Sequence, residues 1–260
     1  MEIVILPSPE AVSAAGAEIV AGLVARKPDA ALGLPTGATP RPLYAELVRR
    51  HREEGLSFAR VTTFNLDEYV GVAPDHPGSF RHYMEEGLFR HVDLRRERAH
   101  LPDGLADDVP AACAAYEAAI RAAGGLDLVL LGLGGDGHIA FNEPTSSLAS
   151  RTRIKTLSAA SRAANQVAFG SDPVPGHVVT MGIATILEAR RCLLLAHGPS
   201  KAAALRAMVE GPVTSMVPAS ALQLHANVTV MCDEAAAAGL ALRDYYREVQ
   251  AKKPPWQREG

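Results

Sequence analysis

The chain reads as an α/β protein: a Rossmann-like open, mostly parallel sheet with helices on both faces, in a single domain. Three observations point there. Short runs rich in Val, Ile and Leu alternate with longer amphipathic stretches, the pattern of β-α units around a sheet buried on both faces. The 260 residues are 48% hydrophobic and 21% charged, which is ordinary globular composition and far from the signature of disorder. No shift in composition and no fixed-period repeat divides the chain, so one domain is the economical reading.

Taken in order, the apolar runs predict strands over residues 2–6, 30–34, 61–65, 126–132, 154–157, 178–181, 192–196 and 228–232. After the first, Ser8 and Pro9 open a helix, Ser as N-cap and Pro at the first helical position, with Val12, Ile19, Val20, Leu23 and Val24 along one face. After the second, a small-residue turn leads to Thr39 as the expected N-cap and Pro40 at the first helical position. After the seventh, Gly198-Pro199-Ser200-Lys201 opens a helix expected over residues 201–209. The domain spans residues 1–250, and the polar, Pro-bearing residues 251–260 are expected to fray.

Charge and hydropathy exclude several partners. A net charge of -3 with both signs interspersed offers no basic stripe for a polynucleotide. No apolar run approaches the ~18 to 20 residues a membrane span needs, and the first residues lack the charged and long apolar regions of a signal peptide, so the chain is expected in the cytoplasm. Cys113, Cys192 and Cys232 lie in apolar or mixed segments without C-x-x-C spacing and are expected to be reduced and inert.

In an open α/β sheet, ligands bind outside the carboxyl ends of the strands, and four junctions there carry chemistry. Thr36-Gly37-Ala38-Thr39 follows a strand and opens a helix, so its free N–H groups and the helix dipole suit an anion such as phosphate, or it is simply a tight turn. Lys201 lies in the first turn of a helix, where a cation opposes the dipole unless an anion sits alongside; a lysine turned to solvent is the alternative. Asp67 and Glu68 follow a strand, where a partly desolvated carboxylate serves as a general base or, more simply, caps a turn.

The fourth junction, Gly132-Leu133-Gly134-Gly135-Asp136-Gly137-His138-Ile139-Ala140-Phe141-Asn142-Glu143-Pro144, places one histidine between two carboxylates. A carboxylate on one ring nitrogen fixes the tautomer and leaves the other nitrogen to move a proton. The run is G-x-G-x-x-G in form but lacks a ribose carboxylate ~20 residues on, which argues against a dinucleotide. With no nucleophile elbow and no histidine pair at metal-ligand spacing, the residues point to a phosphorylated small molecule handled by proton transfer, without metal or cofactor.

At these residues the sequence resembles the glucosamine-6-phosphate deaminase family over residues 3–250, most closely at 34–40, 63–71, 136–157 and 231–234. The resemblance implies conversion of glucosamine 6-phosphate and water to fructose 6-phosphate and ammonia. It implies Asp67 as the base moving a proton from C2 to C1, His138 assisting ring opening, and Asp136 and Glu143 orienting that histidine. Thr36, Gly37, Ala38, Thr39 and Lys201 would hold the phosphate. It also implies a homo-oligomer, a hexamer in some members, with N-acetylglucosamine 6-phosphate as activator at Ser146, Arg153, Lys155, Thr156 and Tyr245. Two positions depart from the family: Ala38 stands where glycine is usual, and Val167 where an arginine meets the phosphate, with Arg162 nearby as a substitute. A related 6-phosphogluconolactonase or sugar-phosphate isomerase, or a sensor that binds without turnover, are the competing readings.

Overall fold

Capping chemistry sets where several helices begin. The structure is a computed structural model and describes residues 1–254. The Ser8 hydroxyl accepts from the Ala11 N–H at 3.3 Å and Pro9 opens α1 (Pro9–Arg26), as the sequence predicts. Ser79, Asp108 and Ser158 cap α3 (Phe80–Gly87), α4 (Val109–Ala122) and α5 (Ala159–Phe169) in the same way. Each satisfies a first-turn N–H that a helix leaves free. No side chain caps α2 (Arg41–Glu54), α6 (Ile183–Leu187), α7 (Ala202–Glu210) or α8 (Arg243–Ala251).

Seven strands form one parallel sheet in the order β1 (Glu2–Leu6), β10 (Val228–Asp233), β9 (Cys192–Ala196), β6 (Leu128–Gly132), β2 (Ala31–Leu34), β3 (Thr62–Asn65), β5 (Ala99–His100). Side chains of its central strands alternate between two cores, as a period of two requires. Leu128, Leu130, Leu193 and Leu195 pack with α1 and α2, burying Val12, Val20, Val24, Leu43 and Leu47. Val129, Leu131, Cys192, Leu194 and Ala196 pack on the other face with Tyr116 and Ile120 of α4 and Leu205 and Met208 of α7. The helices therefore cover both faces.

The strands expected at 154–157 and 178–181 lie outside that sheet. They are β7 (Arg153–Thr156) and β8 (His177–Thr180), and with β4 (Asp67–Tyr69) they make a three-stranded antiparallel sheet in the order β4-β8-β7. Neither β4 nor the two-residue β5 was legible in the sequence, because both are too short for a period and depend on distant partners. A satellite core of Tyr69, Phe80, Phe141, Leu157, Phe169 and Val178 joins this small sheet to α5.

Two helix starts differ from expectation. Pro40, not Thr39, is the N-cap of α2, in helical conformation and without a side-chain bond, because Pro42 takes the early proline position instead. Lys201 ends a 3-10 turn, Pro199–Lys201, and α7 begins at Ala202. At the carboxyl end, Ala251 is still helical and Lys253 pairs with Glu2 at 2.8 Å. The rest of the segment expected to fray, residues 255–260, lies outside the described residues. All three cysteines are free and buried. Among the described residues, no helix is long and apolar enough to cross a membrane.

Candidate active site

The carboxyl ends of β2, β3, β6 and β9 bring four of the expected segments to one rim of the sheet. Asp67 leaves β3 and enters β4, opposite Thr180 of β8. It is 5% exposed, and its Oδ1 accepts from the Phe141 N–H at 3.2 Å. The Thr180 hydroxyl is a second hydrogen-bond partner of the carboxylate. Burial outweighs both bonds and pushes the carboxyl up to about 7, with the His138 charge opposing and the Glu68 charge adding to the rise. The group therefore gains and loses a proton near neutrality, where a general base is most effective.

His138 lies in the turn after β6. Its ring packs on Gly134, where an added Cβ would come within 2.3 Å of the imidazole, so any larger residue there would push the ring aside. The Gly134 N–H donates to the His138 carbonyl at 2.9 Å and closes the turn. Asp136 Oδ1 stands 2.6 Å from His138 Nδ1. The two groups are thus in close contact, without the geometry of an aligned hydrogen bond at Nδ1. The proximity of the imidazole holds the Asp136 carboxyl below its usual value. Ala140 takes a left-handed conformation at φ 52, a strained geometry for a residue with a Cβ, and the turn that it shapes delivers the Phe141 N–H to Asp67.

Glu143 is placed differently from Asp136. Its carboxylate accepts from the Ser158 N–H at 3.2 Å, the Ser158 hydroxyl at 2.9 Å and the Ser161 hydroxyl, all at the start of α5. The structure thus brings Asp67, Asp136 and His138 together and turns Glu143 toward α5 instead of the imidazole.

The expected anion turn connects β2 to α2. Thr36, Gly37, Ala38 and Thr39 lie in it, with Gly37 at φ 106. Ala38 does not carry a positive φ, so its departure from glycine introduces no backbone strain. Tyr44 donates to the Pro35 carbonyl at 2.6 Å and Tyr83 to the Gly37 carbonyl at 2.7 Å, bracing the turn from both sides. Lys201 is half-buried; burial lowers its ammonium pKa, and the Asp136 charge works against that shift. Gly198, at φ 86, sets the turn before it and donates its N–H to Asp233 at 3.0 Å. Val167 is 93% exposed on α5, and Arg162 donates to the Leu157 carbonyl at 2.9 Å.

Sequence reasoning missed Thr180 and the Phe141 N–H at the base, and Tyr83 at the turn. Only the pairing of β4 with β8, across more than a hundred residues of chain, could have shown Thr180, and only the folded turn at Ala140 the Phe141 N–H. Of the residues expected at a second site, Arg153 donates to Asn142 at 2.9 Å and Lys155 and Thr156 share β7 with it. Ser146 is buried with its hydroxyl unpartnered, while Tyr245 stands on α8, its ring beside Tyr246. A cavity of about 460 Å³ between α4 and β7, lined by Cys113, Glu117 and Arg153 among others, contains none of the acid-base group. Among the described residues, no group of three or more His, Cys, Asp or Glu side chains is placed to hold a metal ion.

A buried carboxylate, a His–Asp pair and an anion-suited turn thus share the carboxyl end of a parallel sheet, the rim at which open α/β folds bind small ligands. Residues 8–231 match the family of glucosamine-6-phosphate isomerases and 6-phosphogluconolactonases, and the chain belongs to it. Glucosamine-6-phosphate deaminase of Mycolicibacterium smegmatis is 53% identical over 259 residues, covering 99% of each chain. That of Arthrobacter sp. is 53% identical over 258 residues, with the same coverage. A solved monomeric glucosamine-6-phosphate deaminase superposes with a TM-score of 0.90 at 46% identity, over 92% of this chain and 100% of that one. The 6-phosphogluconolactonase of Trypanosoma cruzi superposes at 0.73 with 25% identity, over 92% and 97%.

Proposed function

We propose that the protein is a glucosamine-6-phosphate deaminase, converting glucosamine 6-phosphate and water into fructose 6-phosphate and ammonia. The observation that carries the reading is Asp67, a buried carboxyl poised at about 7 beside the His138–Asp136 pair. The phosphate occupies the Thr36–Gly37–Ala38–Thr39 turn with Lys201, and His138 moves the proton that opens the ring. Asp67 takes the proton from C2 of the open chain, forming an enolamine, and returns it at C1. The resulting ketimine adds water at C2, and the carbinolamine expels ammonia to leave the C2 carbonyl, so the protein's own part is to move protons.

The identity of about half of the residues to deaminases, against 25% to the lactonase, favours this substrate over a phosphogluconolactone. Glu143 supports the reaction indirectly by anchoring α5. Ammonia release from glucosamine 6-phosphate, measured by a coupled assay, should fall about 10²- to 10⁴-fold in Asp67→Asn without loss of folding. Turnover of 6-phosphogluconolactone in place of the amino sugar would overturn the assignment. The activator site at Ser146, Arg153, Lys155, Thr156 and Tyr245 and the homo-oligomer belong to the same proposal, set against a relative described as monomeric. Light scattering and the same assay, each with and without N-acetylglucosamine 6-phosphate, test both.

A further inference from the structure

Glu68 follows Asp67 on β4 and takes no part in the proton transfers above. It is 6% exposed, and both of its carboxylate oxygens are occupied by backbone N–H groups. Oε1 accepts from Tyr69 at 2.9 Å and from Phe80 at 3.0 Å, and Oε2 accepts from Arg81 at 2.9 Å. Phe80 and Arg81 are the first two residues of α3, and the next N–H, that of His82, goes to the Ser79 hydroxyl at 3.0 Å. The first turn of α3 is thereby clasped to the strand that carries the base. Charged hydrogen bonds at a helix N-terminus are among the stronger ones, and burial makes this clasp costly to open.

One turn into α3, Tyr83 donates to the Gly37 carbonyl at 2.7 Å. A trans peptide points its C=O and the following N–H in opposite directions. The grip on Gly37 therefore aims the Ala38 N–H away from Tyr83 and fixes the orientation of the turn. Continuous contacts run from Asp67 and Glu68 through the start of α3 to Tyr83 and the anion turn.

We propose that Glu68 is a positioning residue: through α3 and Tyr83 it sets the anion turn relative to the Asp67 carboxylate, so that a sugar held by its phosphate presents C2 to the base. The inference rests on the functional reading above and adds to it the element that registers the two halves of the site.

The test uses Glu68→Gln, Tyr83→Phe and the double variant of the full chain, with inorganic phosphate as competitive probe. Glu68→Gln keeps one carbonyl acceptor and loses the other, and should raise both KM for glucosamine 6-phosphate and the inhibition constant of phosphate about tenfold, the equivalent of one hydrogen bond. Tyr83→Phe should do the same, and the double variant should be no worse than the poorer single one, because both act along one path. The charged and titratable groups around Asp67 are His138, Glu68, Tyr69 and Tyr116. Removing the Glu68 charge should move the acid limb of kcat/KM down by roughly half a pH unit, while Tyr83→Phe leaves it in place.

A purely structural Glu68 would lower the melting temperature and the active fraction with KM unchanged, and that result overturns the proposal, as do additive effects in the double variant. Should Glu68→Gln not fold, Tyr83→Phe with unaltered KM and phosphate inhibition overturns it alone. An active Asp67→Asn would instead refute the functional reading, whereas an inactive Asp67→Asn that still binds phosphate normally isolates any failure to Glu68.

Discussion

At Asp67, burial acts on stability and on chemistry through the same proton. The carboxyl is raised from 3.8 to about 7 in the fold, so between these pH values the native state holds a proton that the unfolded chain releases. Its contribution to stability is therefore full below about pH 4, is lost as pH rises toward about 7, and stays flat above. Asp67→Asn should leave the melting temperature at pH 4 nearly unchanged and raise it at pH 8 by roughly 5–10 °C, corresponding to about 2–4 kcal/mol. Calorimetry at the two pH values checks this, and an equal shift at both would refute the burial account. The same variant should lose about 10²- to 10⁴-fold in kcat. In the unaltered protein kcat/KM should fall as pH drops through about 7, because only the ionised carboxylate accepts the proton. Gly134→Ala places a methyl 2.3 Å from the His138 ring. Turning the imidazole off Asp136 should cost about 100-fold or more in ammonia release and roughly 1–3 kcal/mol in stability, read from steady-state rates and urea unfolding.

Among the elements, α5 is the one whose role differs most from its sequence. Glu143 clasps its start through Ser158 and Ser161, and near its end His76 pairs with Asp172 at 3.2 Å. Phe169 packs edge-on to Tyr69 with ring centroids 5.0 Å apart, tying the helix to the strand of the base. From that anchored helix Val167 projects into solvent, making no polar contact. Val167→Arg supplies a guanidinium on the same helix and should lower KM for glucosamine 6-phosphate by about three- to tenfold, less than a fully buried charged bond because the position is open to water. Unchanged KM in initial-rate measurements would show that α5 does not approach the phosphate. Why Glu143 reads as an imidazole partner in sequence is plain: it lies five residues from His138, but the chain turns at Ala140 between them, and its carboxylate bonds to Ser158 and Ser161 instead.

At the scale of the molecule, rigidity comes from the central strands. Leu194 of β9 is fully buried, packed in the core that α4 and α7 cover. Leu194→Ala should cost about 2–5 kcal/mol in denaturant unfolding and leave KM within twofold, since the strand supports the site without lining it. A loss below about 1 kcal/mol would mean that this core relaxes around the cavity. The parallel sheet was legible because strands buried on both faces must be continuous apolar runs, as at residues 192–196 and 228–232. The small sheet was only half legible: β7 and β8 carry the β-branched pattern, but Asp67-Glu68-Tyr69 resembles a turn until β8 pairs with it.

Local chemistry in the chain alone determined the α/β class, the first helix start, the rim where ligands meet the strands, and the candidacy of Asp67, Asp136 and His138. Those are short-range matters of period, capping and turn composition. Tertiary structure decided which carboxylate meets the imidazole, how far Asp67 is desolvated, and how Glu68 and Tyr83 join the base to the anion turn. Each depends on contacts between residues far apart in sequence, where burial and pairing, not local preference, set the free energy.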